Sequence, residues 1–172
     1  TRTMIGDIQP KYCLHMAAIA AIGVAHAKPE RAWAVNLPGT LNIAEAIRDL
    51  APDCRMIFIS SSDIYGASFR SSVPLDEQAL LSPLNTYAAT KASADLALGA
   101  MAANGLSLLR IRPFNHTGPG QGPAFVVPAF ARQIASLPAG LIPPVLTFGS
   151  LTAERDILAV RVVASPSVPS FL

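Results

Sequence analysis

Tyr87 and Lys91 stand four residues apart in the run Tyr87-Ala88-Ala89-Thr90-Lys91. On a helix that spacing puts a phenol and an ammonium on one face, within reach of a common ligand. A free tyrosine loses its proton near pH 10, and a neighbouring ammonium favours the phenolate, so such a pair is suited to pass a proton to or from an oxygen. Taken alone, the spacing describes two solvated residues on a helix face equally well. Ser61 adds context. It follows the apolar run Arg55 to Ser60 (RMIFIS), which reads as a strand, and a parallel sheet carries its functional groups at the carboxyl ends of its strands. A hydroxyl there is placed to hydrogen-bond a substrate oxygen.

These groups need elements to hold them. Residues 12 to 15 (YCLH) form a short apolar strand that runs into small residues. A helical pattern starts at Pro29 and runs to Leu50, with Pro52 stopping it and Pro38 kinking or dividing it. A loop rich in Pro and Ser follows from Gly66 to Asn85. Asn85 or Thr86 then caps a helix to about Asn104, which Asn104-Gly105 ends. Leu106 to Ile111 reads as the next strand, Ala124 to Leu137 as a helix despite Pro128, and Val145 to Phe148 as a short strand. Alternating strands and helices imply an α/β fold with a doubly wound parallel sheet covered on both faces.

Composition narrows the function classes. Hydrophobic residues make up 51% of the 172, charged residues 14%, and the net charge is +2, which excludes intrinsic disorder. Ten Arg and three Lys are scattered singly, so no basic face addresses nucleic acid. Mean hydropathy is +0.41, but the longest apolar stretch, Leu14 to Ala27, contains two histidines and is too short to span a membrane. The Ala25-His26-Ala27 triplet mimics a signal-peptidase site, but its weakly charged flank and His15 argue against secretion. Cys13 and Cys54 make neither a disulfide framework nor a metal pattern, and His15, His26 and His116 have no ligand spacing. The expectation is a reduced, cytoplasmic protein.

Further runs complete a series. Besides the serine segment Ser60-Ser61-Ser62-Asp63-Ile64-Tyr65-Gly66 and the Tyr-Lys helix, there are His15-Met16-Ala17-Ala18, Val35-Asn36-Leu37-Pro38-Gly39-Thr40, Arg110-Ile111-Arg112-Pro113-Phe114-Asn115 and Glu154-Arg155-Asp156. In this order they resemble the extended short-chain dehydrogenases/reductases, the nucleotide-sugar epimerases, dehydratases and reductases, from about Pro10 to Arg161. The resemblance implies catalytic roles for Ser61, Tyr87 and Lys91. Tyr87 would be the acid or base, and Lys91 would lower its pKa and bind the nicotinamide ribose of NADP or NAD. Ala17, Ala18, Asn36, Ser60 and Pro113 would also line the cofactor. Asn115 and Arg155 would hold the substrate's diphosphate; Arg132 fits that role or a solvated helix face. Asp63, beside Ser61, would face the sugar and could act as a base.

The stretch from Arg112 to Gln121, followed by Phe125 to Ile134, is similar to the reductases of GDP-4-keto-6-deoxy-mannose, which yield GDP-rhamnose. A UDP-sugar 4-epimerase and a GDP-mannose 4,6-dehydratase remain alternatives. No Gly-x-x-Gly-x-x-Gly turn precedes the first strand read here, so the expected architecture is a partial doubly wound sheet lacking its first βαβαβ half. Residues 1–112 would be the remainder of the NAD(P)-binding domain, 113–163 the start of a substrate-binding region and 164–172 an atypical tail. A catalytically silent remnant, acting at most as a binding or scaffold protein, is the competing class. The helices over 33–50 and 87–101 resemble those that pair in family homodimers.

Overall fold

A computed structural model describes residues 1–71, 73–139, 141, 143–149 and 155–165. The sequence-read Glu154 and most of the 164–172 tail lie outside the described residues. The chain divides into two compact units, Thr1–Pro113 and Phe114–Leu172.

In the first unit, β1 (Tyr12–His15), β2 (Arg55–Ile59) and β3 (Leu108–Ile111) form a parallel sheet in the order β1-β2-β3. Cys13 pairs with Met56 and His15 with Phe58, while Phe58 pairs with Arg110. Because side chains alternate along a strand, Met56 and Phe58 share one face of β2. There they pack with Ala44 and Ile47 of α4 (Pro38–Leu50) and with Ala94 and Leu98 of α5 (Thr86–Ala103). All six are fully buried. The alanines keep the helix surfaces low, so both helices lie close to the strand. Emptying the Phe58 position would cost about 3–5 kcal/mol.

Local sequence sets the helix limits. Pro38 lacks the N–H that would extend α3 (Pro29–Asn36), so the long pattern becomes two helices meeting at Leu37. Asn85 caps α5, its side chain accepting from the Ala88 N–H at 2.9 Å. Gly105, at φ +99°, turns the chain after α5, and Leu106 N–H closes back on Met101 at 3.1 Å.

Two short helices were not expected from periodicity. In α1 (Arg2–Ile8), stability comes from packing: Ile5 enters the core, and Gln9 Nε2 donates to the Leu50 carbonyl at 2.7 Å. The second is α2 (Ile22–Ala27), whose Ala25 is fully buried. The segment read as a loop, from Gly66, is entered through 3-10 turns that begin earlier, over Ser62–Ser71, and break at Gly66.

The second unit corrects the sequence reading. Val145 to Phe148 is not a strand. Its Thr147 backbone is served by the Gln133 side chain of α6 (Val126–Ser136): Thr147 N–H donates to Oε1 at 2.8 Å, and Nε2 donates to the Thr147 carbonyl at 2.9 Å. A side-chain amide has taken the place of a neighbouring strand. The paired strands there are β4 (Asn115–Thr117) and β5 (Ile157–Ala159), which are parallel, and α7 (Val160–Ala164) follows.

Gly66 sits at φ +44°, ψ −109°, and a Cβ there would fall on the Ser82 carbonyl oxygen. That oxygen accepts from Ala67 N–H at 2.8 Å, and Ser82 N–H bonds Ile64 at 3.0 Å. Gly23 in α2 has open space around it. Gly66→Ala is expected to destabilise the chain by about 1–3 kcal/mol, while Gly23→Ala is neutral or stabilises it by up to about 1 kcal/mol. Urea unfolding midpoints measure both; a neutral Gly66→Ala would contradict the close approach.

Candidate functional site

Parallel strands end on one edge, and the sequence-read groups of the first unit collect there. After His15 the chain enters the loop holding Ala17 and Ala18; after Ile59 come Ser60, Ser61 and Asp63; after Ile111 come Arg112 and Pro113. Backbone bonds fasten these exits together: Ser60 N–H donates to Ile111 at 2.7 Å and Ser62 N–H to Pro113 at 3.0 Å. The first turns of α5 bring Tyr87 and Lys91 to the same edge.

Ser61 Oγ accepts from the Asp63 N–H at 3.2 Å, and its hydroxyl lies near enough to the Tyr87 phenol to act on its proton affinity. Burial pushes the Tyr87 phenol above its ordinary pKa; the Ser61 hydroxyl pulls it down and Asp63 pushes it up again. This differs from the expectation that Lys91 lowers the Tyr87 pKa. The ammonium is engaged elsewhere. Lys91 is 3% exposed, its Nζ donates to the Ile59 carbonyl at 2.6 Å and lies 4.0 Å from the Phe58 ring centroid. Desolvation draws its pKa down to about 8, against the support of Asp95.

A chain of buried polar groups braces the edge. His15 Nε2 and Thr40 Oγ1 are 2.9 Å apart, and Thr40 Oγ1 donates to the Asn36 carbonyl at 2.8 Å. A hydroxyl has one proton, already given to Asn36, so His15 carries its hydrogen on Nε2 and donates it. Burial, then Lys91, lowers the His15 pKa, which favours the neutral ring. Asn36, 1% exposed, accepts from Ile19 N–H at 2.8 Å and donates to the Ile19 carbonyl at 3.2 Å and to Thr90 Oγ1 at 2.9 Å. Thr90 Oγ1 in turn donates to the Tyr87 carbonyl at 2.7 Å. Asn36 therefore holds the loop carrying Ala17 and Ala18 against the helix carrying Tyr87, with its amide committed to that task. Thr40 and Thr90 were missed in the sequence, although each lies inside a run singled out there.

The Ser60 hydroxyl favours the ionised form of Asp95, yet makes no hydrogen bond of full geometry. Among the described residues it is the one buried side-chain polar atom with that capacity unused. Asp95 and Arg112, which the sequence reading gave no role, lie in the same layer: Arg112 Nη2 donates to Asp95 Oδ1 at 2.8 Å. Asn115 and Arg132 belong to the second unit and are exposed there, on β4 and α6; exposed Arg155 lies just before β5. No group of His, Cys, Asp and Glu among the described residues is arranged to hold a metal ion.

Comparison with known proteins gives these positions a context. Residues 1–165 match the family described as GDP-mannose 4,6 dehydratase. The chain is 36% identical over 165 residues to GDP-6-deoxy-D-mannose reductase of Pseudomonas aeruginosa, covering 94% of this chain and 54% of that protein. It is 32% identical over 162 residues to GDP-mannose 4,6-dehydratase of Sinorhizobium fredii, covering 89% and 44%. The solved structure of RMD from Pseudomonas aeruginosa complexed with NADPH matches with a TM-score of 0.87 at 34% identity, covering 99% of this chain and 58% of that one. The chain thus spans about half the length of these relatives.

The buried ammonium has a stability signature. The folded pKa of Lys91, about 8, lies below the 10.5 of a free lysine side chain. Below pH 8 both states hold the proton and the burial penalty is present in full. Between about 8 and 10.5 only the unfolded chain holds it, so the native state gains stability as pH rises. Lys91→Met is expected to stabilise the fold by roughly 2–3 kcal/mol at pH 7, with the advantage shrinking above pH 8. Unfolding curves across pH 6 to 10.5 check this; a constant difference contradicts it.

Proposed function

The chain belongs to the GDP-mannose 4,6-dehydratase family of extended short-chain dehydrogenases/reductases, and from that premise we propose that it reduces the 4-keto group of GDP-4-keto-6-deoxy-mannose to GDP-rhamnose. What supports it is Tyr87: a phenol kept protonated by burial, with the Ser61 hydroxyl beside it, at the carboxyl edge of a parallel sheet. A reduction needs an acid at the new alkoxide, and a phenol held above its ordinary pKa keeps its proton until that charge develops.

NADPH or NADH fits the residues present. The spare Ser60 oxygen offers a polar partner to a nucleotide, Lys91 offers an ammonium, and the small Ala17 and Ala18 permit close approach to the loop that Asn36 holds. Pro113, fastened to Ser62, adds an apolar surface. When bound, the reduced nicotinamide supplies a hydride to the ketone carbon. Tyr87 would give its proton to the ketone oxygen as the alkoxide charge develops, and the Ser61 hydroxyl would hydrogen-bond the same oxygen. Lys91 would bind the cofactor ribose, and an ammonium turned from Ile59 toward the phenol would favour the phenolate that Tyr87 leaves behind. Asn115, Arg132 and Arg155 are assigned to the substrate's diphosphate, for which guanidinium forks and an amide donor are suited.

Asp63 and the family match favour a second reading, a GDP-mannose 4,6-dehydratase in which Asp63 serves as base. Product analysis separates the two. With GDP-4-keto-6-deoxy-mannose and NADPH, the chain is expected to form GDP-rhamnose, and Tyr87→Phe to lower turnover by about 10²–10⁴-fold while NADPH affinity by calorimetry stays within a few-fold. Unchanged turnover removes Tyr87 from the mechanism; absence of NAD(P)H binding at millimolar concentration supports the silent-remnant class instead.

The assembly assigned to this chain is a homodimer in the cytoplasm. No helix among the described residues is long and apolar enough to cross a membrane. Trp33 and Val35 on α3 and Leu96 on α5 are exposed, Leu96 by 60%, a set of apolar side chains that helix pairing would cover. Light scattering is expected to give twice the chain mass, and a monomer at all concentrations counts against pairing.

A further inference from the structure

The face of α5 that carries Tyr87 and Lys91 holds a third ionisable group. Asp95 lies one turn beyond Lys91 and has no exposed surface. Two guanidiniums close on it. Arg110 Nη1 donates to Oδ1 at 2.8 Å and to the Asp95 carbonyl at 3.1 Å; Arg112 donates from Nη2 to Oδ1 at 2.8 Å and from Nε to Oδ2 at 3.2 Å. Gly99, one turn further, lacks the Cβ that would come within 2.8 Å of Arg110 Nη1. The second arm of the cluster reaches the serine segment: Arg112 Nη1 donates to Tyr65 Oη at 2.9 Å and to the Glu77 carbonyl at 3.1 Å.

The charge balance is uneven. Arg110 and Arg112 both pair with the one Asp95 carboxylate, and Lys91, one helical turn away, draws electrostatic support from the same group, so removing its charge would leave three cations with less to oppose them. The other ionisable groups toward this layer are His15 on β1, Asp63 and Tyr65 in the serine segment, and Tyr87 on α5 itself; α3 and α4 contribute the neutral Asn36 and Thr40. Asp95 alone lies one turn from Lys91 with an acidic side chain on the same helix face.

We propose that Asp95 is a positioning residue of the site: its carboxylate is the counter-ion that lets buried Lys91 remain cationic, and its Arg112 bridge to Tyr65 holds the Ser61–Asp63 segment against α5. Burial alone would push the Asp95 carboxyl up, but the Arg112 hydrogen bonds, the Ser60 hydroxyl and the charges of both arginines hold it below its ordinary value. The carboxylate is thus ionised throughout the range in which Lys91 titrates. Its partner Arg112 is itself driven further toward the cation, first by the Asp95 hydrogen bond. The inference rests on reading Ser61, Tyr87 and Lys91 as the site, but its test needs no turnover.

Lys11, Lys28 and Lys91 are the chain's three lysines, so 13C-lysine labelling gives a small set of side-chain NMR signals, with Lys91→Met assigning the third. Wild type is expected to titrate at Lys91 near pH 8, in line with its lowered pKa. Asp95→Asn is expected to lower that midpoint by about one pH unit or more, a tenfold or greater loss of proton affinity, and Asp95→Glu to return it to within about half a unit of wild type. Arg110→Met, which removes a competing cation, is expected to raise the midpoint, the opposite sign to a general loosening of the site. Tyr65→Phe leaves the carboxylate in place; its midpoint stays at the wild-type value while amide exchange over residues 63–82 accelerates about fivefold or more.

An unmoved midpoint in folded Asp95→Asn overturns the counter-ion role. If that variant does not fold, a null or downward shift in Arg110→Met overturns it, and unchanged exchange in Tyr65→Phe overturns the bridge. Should the midpoints move as expected while Tyr87→Phe retains full turnover, the proposed reaction fails and the role of Asp95 stands.

Discussion

Burying a lysine ammonium beneath a parallel sheet edge is the constraint to which the rest of the first unit answers. Lys91 reaches the Ile59 carbonyl and the Phe58 face from a position almost without solvent, and a bare ammonium there would be expelled or neutralised. The surroundings supply a strand-end carbonyl, an aromatic face and, one helical turn away, Asp95. Each imposes a further requirement. Phe58 must be packed by α4 and α5, which calls for the small Ala44 and Ala94. Asp95 needs its own partners, which Arg110 and Arg112 provide from β3 and its exit. The polar edge and the core packing are therefore fixed by the same side chains, and buried cations are kept where stability alone would prefer apolar residues.

The same layer shows how a hydrogen-bond chain transmits position without carrying charge. From His15 through Thr40, Asn36 and Thr90 to the Tyr87 carbonyl, the donors and acceptors have one consistent sense. Reversing the Asn36 amide would break its paired bonds to Ile19 and leave the Thr90 lone pair opposite an oxygen. Such a chain has few alternatives, so the loop after β1 and the start of α5 keep a fixed relation. Gly66 plays a comparable part for the serine segment, letting the backbone approach Ser82 so closely that no side chain fits.

Much of this was legible in the sequence where the signal was local. Pro29 and Pro38 marked the starts of α3 and α4, Asn85 and Gly105 bracketed α5, and the apolar runs ending at His15 and Ser60 marked two of the three strands of the first sheet, the second strand stopping one residue earlier, at Ile59. The third, Leu108–Ile111, begins two residues later than the apolar run, since Leu106 N–H is still bonded back to the Met101 carbonyl of α5. Position along the chain also put Ser61 and Tyr87 at one sheet edge, where the Ser61 hydroxyl acts on the Tyr87 phenol. What failed was tertiary in origin. A seven-residue α1 has too few turns to be stable by itself and depends on Ile5, Arg2 and Gln9 reaching α4 and its end. Val145 to Phe148 had the composition of a strand, but Gln133 took its backbone bonds. The direction of the Tyr87 shift was missed because spacing gives proximity and says nothing of an ammonium drawn toward Ile59 and Phe58.

The reductase reading depends on where a hydride ends. An epimerase or dehydratase returns to the sugar a hydride it first removed, whereas a reductase delivers one from added cofactor. The direct measurement is mass spectrometry and NMR of the product formed by this chain from GDP-4-keto-6-deoxy-mannose and NADPH deuterated at the transferring nicotinamide position. A reductase leaves one deuterium at sugar C4 for each cofactor oxidised. A processed sugar with no deuterium at C4 would contradict that reading.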